Sequence, residues 1–307
     1  MGSSPGQAGS RHPGLLAGVV VSMRPRQWVK NLIVFAALIF AQQLSVPGMV
    51  VRSALAFFLF CAASSAIYII NDLFDAERDR LHPLKARRPI ASGALGFAPA
   101  VSAAAALLLG SLLVGFTESR PFGAIILIYA ILNLLYSLWL KEVVIIDVMV
   151  IAAGFVLRAV GGALIIDVPI STWLIICTIL LSLFLAFCKR RQELESLDEA
   201  GEHRPALREY SVEFIDQMIN VVTASTVVAY TFYTVSPEVE HKLGTQHLYL
   251  TVPFVLYGIF RYLYLVHRKG VGGNPTQALL TDRPLLACVG LWGITVVALL
   301  YTAQPAN

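Results

Sequence analysis

Long runs of apolar residues are the feature that most constrains the fold of this chain. A membrane-spanning α-helix needs about 17–25 mainly apolar residues in a row. Nine stretches meet this requirement: 31–48, 50–71, 93–116, 121–140, 143–166, 170–188, 213–236, 246–267 and 285–303. The first is the weakest, because Gln42, Gln43 and Pro47 interrupt it. Charged residues make up only 14% of the chain, against about 25% in soluble proteins. We therefore predict an all-α polytopic membrane protein with nine transmembrane helices.

Lysine and arginine residues predict how these helices are oriented. If the N-terminus is cytoplasmic, 18 of the 23 lie on the cytoplasmic side of the predicted helices. Only Arg52, Arg120 and Lys242 lie on the opposite side. Cytoplasmic loops of membrane proteins carry such an excess of basic residues. We expect a multi-pass protein of the cell (inner or plasma) membrane with a cytoplasmic N-terminus and chemistry on the cytoplasmic side. The same rule explains the basic pI near 8.9 without a nucleic-acid partner.

The apolar stretches also predict a simple domain organisation. The first residues are rich in Gly, Ser and Pro, and the apolar run 15–21 is too short to cross a membrane. We predict a disordered or interfacial N-terminus over residues 1–22 and one transmembrane domain over residues 23–303. All cysteines lie in apolar stretches and form no CxxC pair, which favours buried apolar packing over zinc binding or disulfides.

A group of acidic residues follows the second apolar stretch. Its members are Asn71, Asp72, Asp75 and Asp79. On a helix this spacing places all of them on one face over about two turns. Acids so close together repel unless a cation lies between them, and Mg²⁺ prefers carboxylate oxygens. The pattern predicts a magnesium site. The alternative is a solvated helix end at which Arg78 and Arg80 neutralise the acids.

A basic loop comes directly after these acids. It contains Lys85, Arg87 and Arg88 and is closed by Pro89. Guanidinium and ammonium groups are the side chains that bind phosphate. The alternative is that these basic residues only fix the membrane topology by binding anionic lipid headgroups. Because the basic loop adjoins the acidic group, we favour a site that binds a magnesium-bound diphosphate.

Polar residues elsewhere are further candidates for substrate binding. Asp147 and Arg158 share a helical face with two glycines inside the fifth stretch, where charges usually face a bundle interior or a polar cavity. They could instead form buried structural pairs. The segment 24–31 could be an interfacial anchor, the basic loop 189–195 a topology signal, and Asp282-Arg283 a helix cap. The candidate substrate-binding residues are Gln27, Lys30, Asn31, Tyr68, Lys85, Arg87, Arg88, Tyr136, Lys141, Asp147, Arg158, Lys189, Arg190, Arg191 and Arg283.

With its nine predicted spans and the motif N-D-x-x-D-x-x-x-D at 71–79, the sequence resembles the UbiA-type prenyltransferase superfamily. Members of that superfamily usually carry a second acidic motif after the sixth span, where this chain reads FCKRRQEL at 187–194. The segments RPRQWVKN (24–31), HPxKxxRPIAxG (82–93) and GNP…DR (273–283) are similar to its decaprenyl-phosphate phosphoribosyltransferase branch.

This resemblance implies a UbiA-like helical bundle and a defined reaction. The enzymes of that branch move 5-phosphoribosyl from phosphoribosyl diphosphate to a polyprenyl phosphate, which gives a precursor of cell-wall arabinan. It further implies Mg²⁺ as cofactor, Asp72 and Asp75 as the central catalytic residues, and the membrane as partner, and it leaves a homo-oligomer open. Two alternatives remain: a prenyltransferase that acts on an aromatic or other acceptor, and a transporter. No internal repeat supports the transporter.

Overall fold

The computed structural model describes residues 14–83, 85–195, 207, 209–270 and 273–302, and the regular elements in these ranges are all helical. The chain forms two compact units. One comprises Met1–Pro25 and Ala62–Ser111, and the other comprises Arg26–Cys61 and Leu112–Asn307. The predicted single domain stays a prediction. Most of the predicted disordered N-terminus lies outside the described residues, but Leu15–Ser22 within it forms helix α1.

Twelve further α-helices follow α1 in the described ranges. They are α2 (Ala36–Phe40), α3 (Pro47–Phe74), α4 (Ala76–Leu81), α5 (Phe97–Glu118), α6 (Arg120–Leu138), α7 (Ile146–Ile165), α8 (Thr172–Glu195), α9 (Val212–Val235), α10 (Pro237–Leu243), α11 (Val252–Lys269), α12 (Pro275–Thr281) and α13 (Arg283–Thr302). Short 3₁₀ segments cover Pro25–Phe35, Lys85–Arg87, Leu140–Glu142 and Leu248–Thr251.

Eight helices in the described part of the chain are long and apolar enough to cross a membrane. They are α3, α5, α6, α7, α8, α9, the continuous stretch Leu248–Lys269 that includes α11, and α13. The polytopic all-α prediction is therefore confirmed, whereas the count of nine and the orientation of the N-terminus are not.

The first predicted span, 31–48, is the one that is missing as a continuous helix. Its residues are divided between a 3₁₀ segment, the five-residue helix α2 and a turn. Gln42 takes a positive φ of 56°, and its amide donates a hydrogen bond to the carbonyl oxygen of Leu243 at 2.7 Å. The polar residues that weaken the apolar pattern here are thus used to end the helix and turn the chain.

Two predicted boundaries are wrong. The acids 71–79 do not lie on one uninterrupted helix, because α3 ends at Phe74 and Asp75 is the N-cap of the short helix α4. The predicted loop 189–195 is helical and completes α8. Ion pairs at i,i+3 and i,i+4 spacing, such as Lys189–Glu193 and Arg191–Glu195, stabilise those last turns.

Each unit has its own apolar core. In the unit that contains Ala62–Ser111, buried side chains of α3, α5 and the connection between α4 and α5 pack together, among them Ile69, Ile90 and Leu95. In the larger unit, buried side chains of α7, α8, α9 and α11 form the main core. The chain approaches α7 closely at Gly162, where a Cβ atom would lie 2.1 Å from the carbonyl oxygen of Val34. Only glycine fits at this crossing.

Candidate active site

Two of the predicted metal-binding aspartates lie side by side and are held by arginine. Nη1 of Arg88 donates hydrogen bonds to Oδ1 of Asp72 at 3.0 Å and to Oδ2 of Asp79 at 2.6 Å. Nη2 of Arg24 donates to the same Asp72 oxygen at 2.5 Å, and Nζ of Lys85 lies 4.0 Å from Asp79. Both aspartates are buried. We call Arg24, Asp72, Asp79, Lys85 and Arg88 the acid–arginine cluster.

The arginines that neutralise these acids are not the neighbours Arg78 and Arg80. Arg80 instead donates from Nε to the carbonyl oxygen of Ala91 at 3.2 Å. Arg24 comes from 48 residues upstream and has a φ of 54°, a conformation that is uncommon outside glycine. The guanidinium carbon of Arg24 lies 5.1 Å from the ring centroid of Tyr68. Tyr68, which was predicted to bind substrate, therefore borders the cluster.

The side chains of Asn71, Asp72, Asp75 and Asp79 offer oxygen atoms, the donor type that Mg²⁺ prefers. The Oδ1 atom of Asn71 is buried and has no hydrogen-bond partner in the described part of the chain, although buried polar atoms normally have one. No described ion pair reaches Asp75. In this arrangement the described residues contain no group of three His, Cys, Asp or Glu side chains that could hold a metal, and Nη1 of Arg88 bridges Asp72 and Asp79. The assignment of Asn71, Asp72, Asp75 and Asp79 to Mg²⁺ stays a prediction.

The larger unit contains a second, buried group of charged residues. Oδ2 of Asp147 accepts a hydrogen bond from Nε of Arg190 at 2.5 Å, and its Oδ1 accepts one from the Tyr210 hydroxyl at 2.8 Å. Nη2 of Arg190 donates to the Tyr136 hydroxyl at 2.9 Å, and its Nη1 bonds to Glu193. The Asp147 and Arg190 side chains are each only 1% exposed. We call these five residues the Asp147–Arg190 network.

Tyr136, Asp147 and Arg190 were each predicted from the sequence to bind substrate, and in the structure they lie together. Tyr210 was not predicted, because it lies between α8 and α9 in a stretch without a recognisable motif. The nearest signal was an aromatic residue among polar neighbours. Burial raises the pKa of the Tyr210 hydroxyl, so this group remains protonated at neutral pH and donates to Asp147.

The two basic neighbours of Arg190 are also paired with acids. Arg191 donates to Asp216 and to Glu195, both at 2.7 Å, and Nζ of Lys189 lies 3.5 Å from Glu193. These residues stand where the family resemblance led us to expect a second acidic motif. Their assignment as phosphate ligands stays a prediction.

Arg158, in α7, is hydrogen-bonded to uncharged groups rather than to an acid. Its guanidinium donates to Asn31 Oδ1 at 2.6 Å, to the Tyr129 hydroxyl at 2.7 Å and to the Gly154 carbonyl oxygen at 2.8 Å. It also lies over the Tyr129 ring, 4.7 Å from the centroid. Thus two predicted site residues, Asn31 and Arg158, are joined, and Arg158 holds the 3₁₀ segment Pro25–Phe35 against α7.

The remaining predicted residues lie outside these groups. Oε1 of Gln27 accepts a hydrogen bond from Thr276 at 3.4 Å. Lys141 lies in the 3₁₀ segment Leu140–Glu142 and is half-buried, whereas Arg87 and Arg283 are exposed. Asp282, beside Arg283, caps α13 by accepting from the Leu285 amide at 2.9 Å, as the capping alternative predicted. Lys30 lies in the segment that Arg158 holds.

Comparison with known proteins places the chain in a family. The model of the UbiA prenyltransferase family matches residues 31–277. The decaprenyl-phosphate phosphoribosyltransferase of Mycolicibacterium smegmatis is 31% identical over 299 residues, which cover 94% of this chain and 93% of the relative. The enzyme of the same name from Corynebacterium glutamicum is 31% identical over 294 residues, which cover 94% and 88%.

A solved structure gives the same result for the fold. The UbiA homolog from Archaeoglobus fulgidus bound to DMAPP and Mg²⁺ has a TM-score of 0.66 and 18% identity over 93% of this chain and 98% of that one. The molecule is therefore a helical membrane protein with the UbiA fold. The family match and the two relatives go further: the chain belongs to the UbiA prenyltransferase family.

Proposed function

We propose that this protein transfers the 5-phosphoribosyl group from phosphoribosyl diphosphate to a polyprenyl phosphate of the decaprenyl type and releases diphosphate. The observation that carries the proposal is the 31% identity, over 94% of the chain, to enzymes named for decaprenyl phosphate and phosphoribosyl transfer. The product is then a membrane-bound precursor of cell-wall arabinan.

The end of α8 supports this donor over a prenyl diphosphate. Prenyltransferases that bind a second metal there need free carboxylates. In this chain the acids Glu193, Glu195 and Asp216 pair with Lys189, Arg190 and Arg191. A single metal site accompanied by several basic groups suits a donor that carries a diphosphate and a separate 5-phosphate.

The residues in and around the acid–arginine cluster have distinct tasks in this proposal. Asn71, Asp72, Asp75 and Asp79 would hold Mg²⁺, which would stabilise the charge on the departing diphosphate. Arg88 is 29% exposed at its side chain and can exchange a carboxylate for a phosphate oxygen, since guanidinium binds both. Lys85 and Arg87 extend the same basic surface.

The transfer itself needs orientation rather than a strong base. The bond between ribose C1 and the diphosphate oxygen breaks, and a bond forms between C1 and an oxygen of the lipid phosphate, with inversion at C1. A phosphate monoester has a second pKa near 6 and is anionic at neutral pH, so no side chain has to remove a proton. The protein contributes by fixing both phosphates beside C1.

A donor-specificity assay tests the proposal. Purified protein in lipid nanodiscs is incubated with Mg²⁺, labelled phosphoribosyl diphosphate and a polyprenyl phosphate. We expect a labelled lipid and released diphosphate. No labelled lipid, together with product from a prenyl diphosphate and an aromatic acid, would overturn the proposal in favour of a prenyltransferase. Solute uptake into vesicles without any turnover would instead indicate a transporter.

A further inference from the structure

The connection between α6 and α7 contains a strained turn. Ile145 has φ 69° and ψ −45°, and the amide of Ile146 donates to the carbonyl oxygen of Val144 at 2.8 Å. This is a γ-turn of the rare kind with positive φ at its centre. A β-branched residue in that conformation is an outlier, and such strain persists only where the surroundings hold it in place.

The Tyr210 side chain is what holds the turn. Its hydroxyl accepts a hydrogen bond from the Ile145 amide at 2.6 Å and donates one to Asp147 at 2.8 Å. Tyr210 is only 5% exposed. Asp147 is in turn fixed by Arg190 at 2.5 Å. The Ile145 amide is therefore held, through Tyr210, by the buried Asp147.

The same network fixes the other end of the connection. Tyr136, in the last turn of α6, accepts from Arg190, and Asp147 lies in the first turn of α7. Between these two anchors the chain has few residues, and Lys141 lies among them in the 3₁₀ segment Leu140–Glu142. No ion pair in the described part of the chain involves Lys141, and its side chain is half-buried. An unpaired cation is thus carried by a connection that is rigid at both ends.

We propose that Tyr210 is a positioning residue that, through the strained Ile145 turn, holds Lys141 against a phosphate group of one substrate. The inference rests on the proposed function, in which phosphates of both donor and acceptor must be fixed. A cation held in place in advance does not have to be ordered when the substrate binds, so affinity is gained.

A double-mutant cycle between Tyr210→Phe and Lys141→Met tests the inference. If Tyr210 acts through Lys141, Tyr210→Phe raises the KM of one substrate roughly fivefold, the size expected for one uncharged hydrogen bond, with kcat nearly unchanged. In the Lys141→Met background the same change has no further effect on KM, because interacting residues are not additive. Separate KM values for donor and acceptor show whose phosphate is bound. Additive effects would overturn the inference.

Two further variants separate positioning from folding. Tyr230→Phe removes another buried hydroxyl, one bonded to Thr251 and Trp292, and we expect it to leave both KM values unchanged. Ile145→Gly leaves every side chain of the network in place and removes the strain of the turn, since glycine adopts positive φ freely. Tyr210→Phe combined with Ile145→Gly should therefore raise KM less than Tyr210→Phe alone, and only when Lys141 is present. A rise of equal size, or one that persists in Lys141→Met, would contradict the inference. If Tyr210→Phe does not fold by itself, the combined variant is compared in the Lys141 and Lys141→Met backgrounds instead.

Failure of this inference differs from failure of the proposed function. If the wild-type protein makes labelled lipid and the cycle is additive, positioning by Tyr210 is wrong and the function stands. If the wild-type protein makes no labelled lipid from phosphoribosyl diphosphate, the proposed function is wrong. The mutant cycle can then be measured with whichever substrate the protein does turn over, so it tests positioning by Tyr210 separately.

Discussion

The acid–arginine cluster and the Asp147–Arg190 network use the same residue types for different purposes. In the cluster, the arginine side chains are partly open to solvent, 32% exposed for Arg24 and 29% for Arg88. In the network, Arg190 and Asp147 are each 1% exposed. A partly exposed arginine can exchange its carboxylate for a ligand at little cost. A fully buried pair cannot separate without leaving one charged group buried and unpaired. We therefore propose a binding site in the first case and a rigid support in the second.

The largest effect should come from removing the predicted metal-binding acids Asp72 and Asp75. We expect Asp72→Ala and Asp75→Ala to lower turnover by about 10²- to 10³-fold or more, the range for removing one group that stabilises developing charge. The protein should still fold and insert. The measurement is the labelled-lipid assay with a thermal-unfolding control. Glu77→Ala is the matched control, because Glu77 is an exposed acid in the same short helix. Wild-type activity in either aspartate variant would remove the metal assignment.

The next effect concerns stability and belongs to the network. Arg190→Leu leaves Asp147 buried without its guanidinium, which typically destabilises a protein by about 3–5 kcal/mol. The free energy of unfolding in detergent measures this loss. Lys189→Gln is the control, since Lys189 is 36% exposed and a surface pair contributes about 1 kcal/mol or less. The paired change Asp147→Leu with Arg190→Met should recover most of the stability. Equal losses for Arg190→Leu and Lys189→Gln would show that the network is not a structural support.

The contrast between the two groups also explains which parts could be predicted from sequence. The transmembrane helices follow from the length of the apolar runs, so the all-α polytopic fold was predictable. The group 71–79 was recognisable because Asn71 and three aspartates stand together in an apolar chain. The prediction of the first span was wrong because two glutamines and a proline in a marginal apolar run are enough to end a helix, and a count of apolar residues does not weigh them.

Partners that are distant in sequence could not be predicted in the same way. The spacing of Asp72 and Asp79 is local, but Arg24 reaches Asp72 from 48 residues away, and Tyr210 reaches Asp147 from 63 residues away. A single sequence contains no local pattern from which such pairings can be recognised. The same limit applies to Arg190, which the sequence alone places in a basic loop. Only the packing of α7 against α8 shows that Arg190 is buried and paired with an aspartate.

Arg88→Gln distinguishes an exchangeable arginine from a fixed one. Arg24 still faces Asp72 and Lys85 still faces Asp79, so we expect a loss of only about 1 kcal/mol in the free energy of unfolding. The KM of the diphosphate donor should rise by roughly tenfold, as for a lost charge-assisted hydrogen bond. Added Mg²⁺ should raise the unfolding temperature of this variant more than that of the wild type, because the competing guanidinium is gone. A smaller Mg²⁺ shift than in the wild type would show that Arg88 does not compete with the metal.

The smallest effect concerns an ion pair of intermediate exposure, Arg261–Asp282. Its side chains are 24% and 12% exposed, and the guanidinium donates to both carboxylate oxygens at 3.1 and 2.8 Å. The hydrogen bond from Arg261 lowers the pKa of Asp282, and the Leu285 amide lowers it further. A pKa below the unfolded value of about 3.9 means that the ionised form stabilises the fold above that pH. The stabilisation is lost as the pH falls through the pKa of the folded state.

Asp282→Asn tests this sign, because asparagine keeps the helix cap and removes only the charge. We expect the unfolding temperature at pH 7 to fall by about 1–2 °C, and the difference from the wild type to shrink as the pH approaches 4 and below. Thermal unfolding at a series of pH values measures both. If the difference were the same at pH 4 and pH 7, the charge of Asp282 would have no part in stability. A loss as large as that of Arg190→Leu would mean that exposure does not separate structural from exchangeable arginine pairs in this protein.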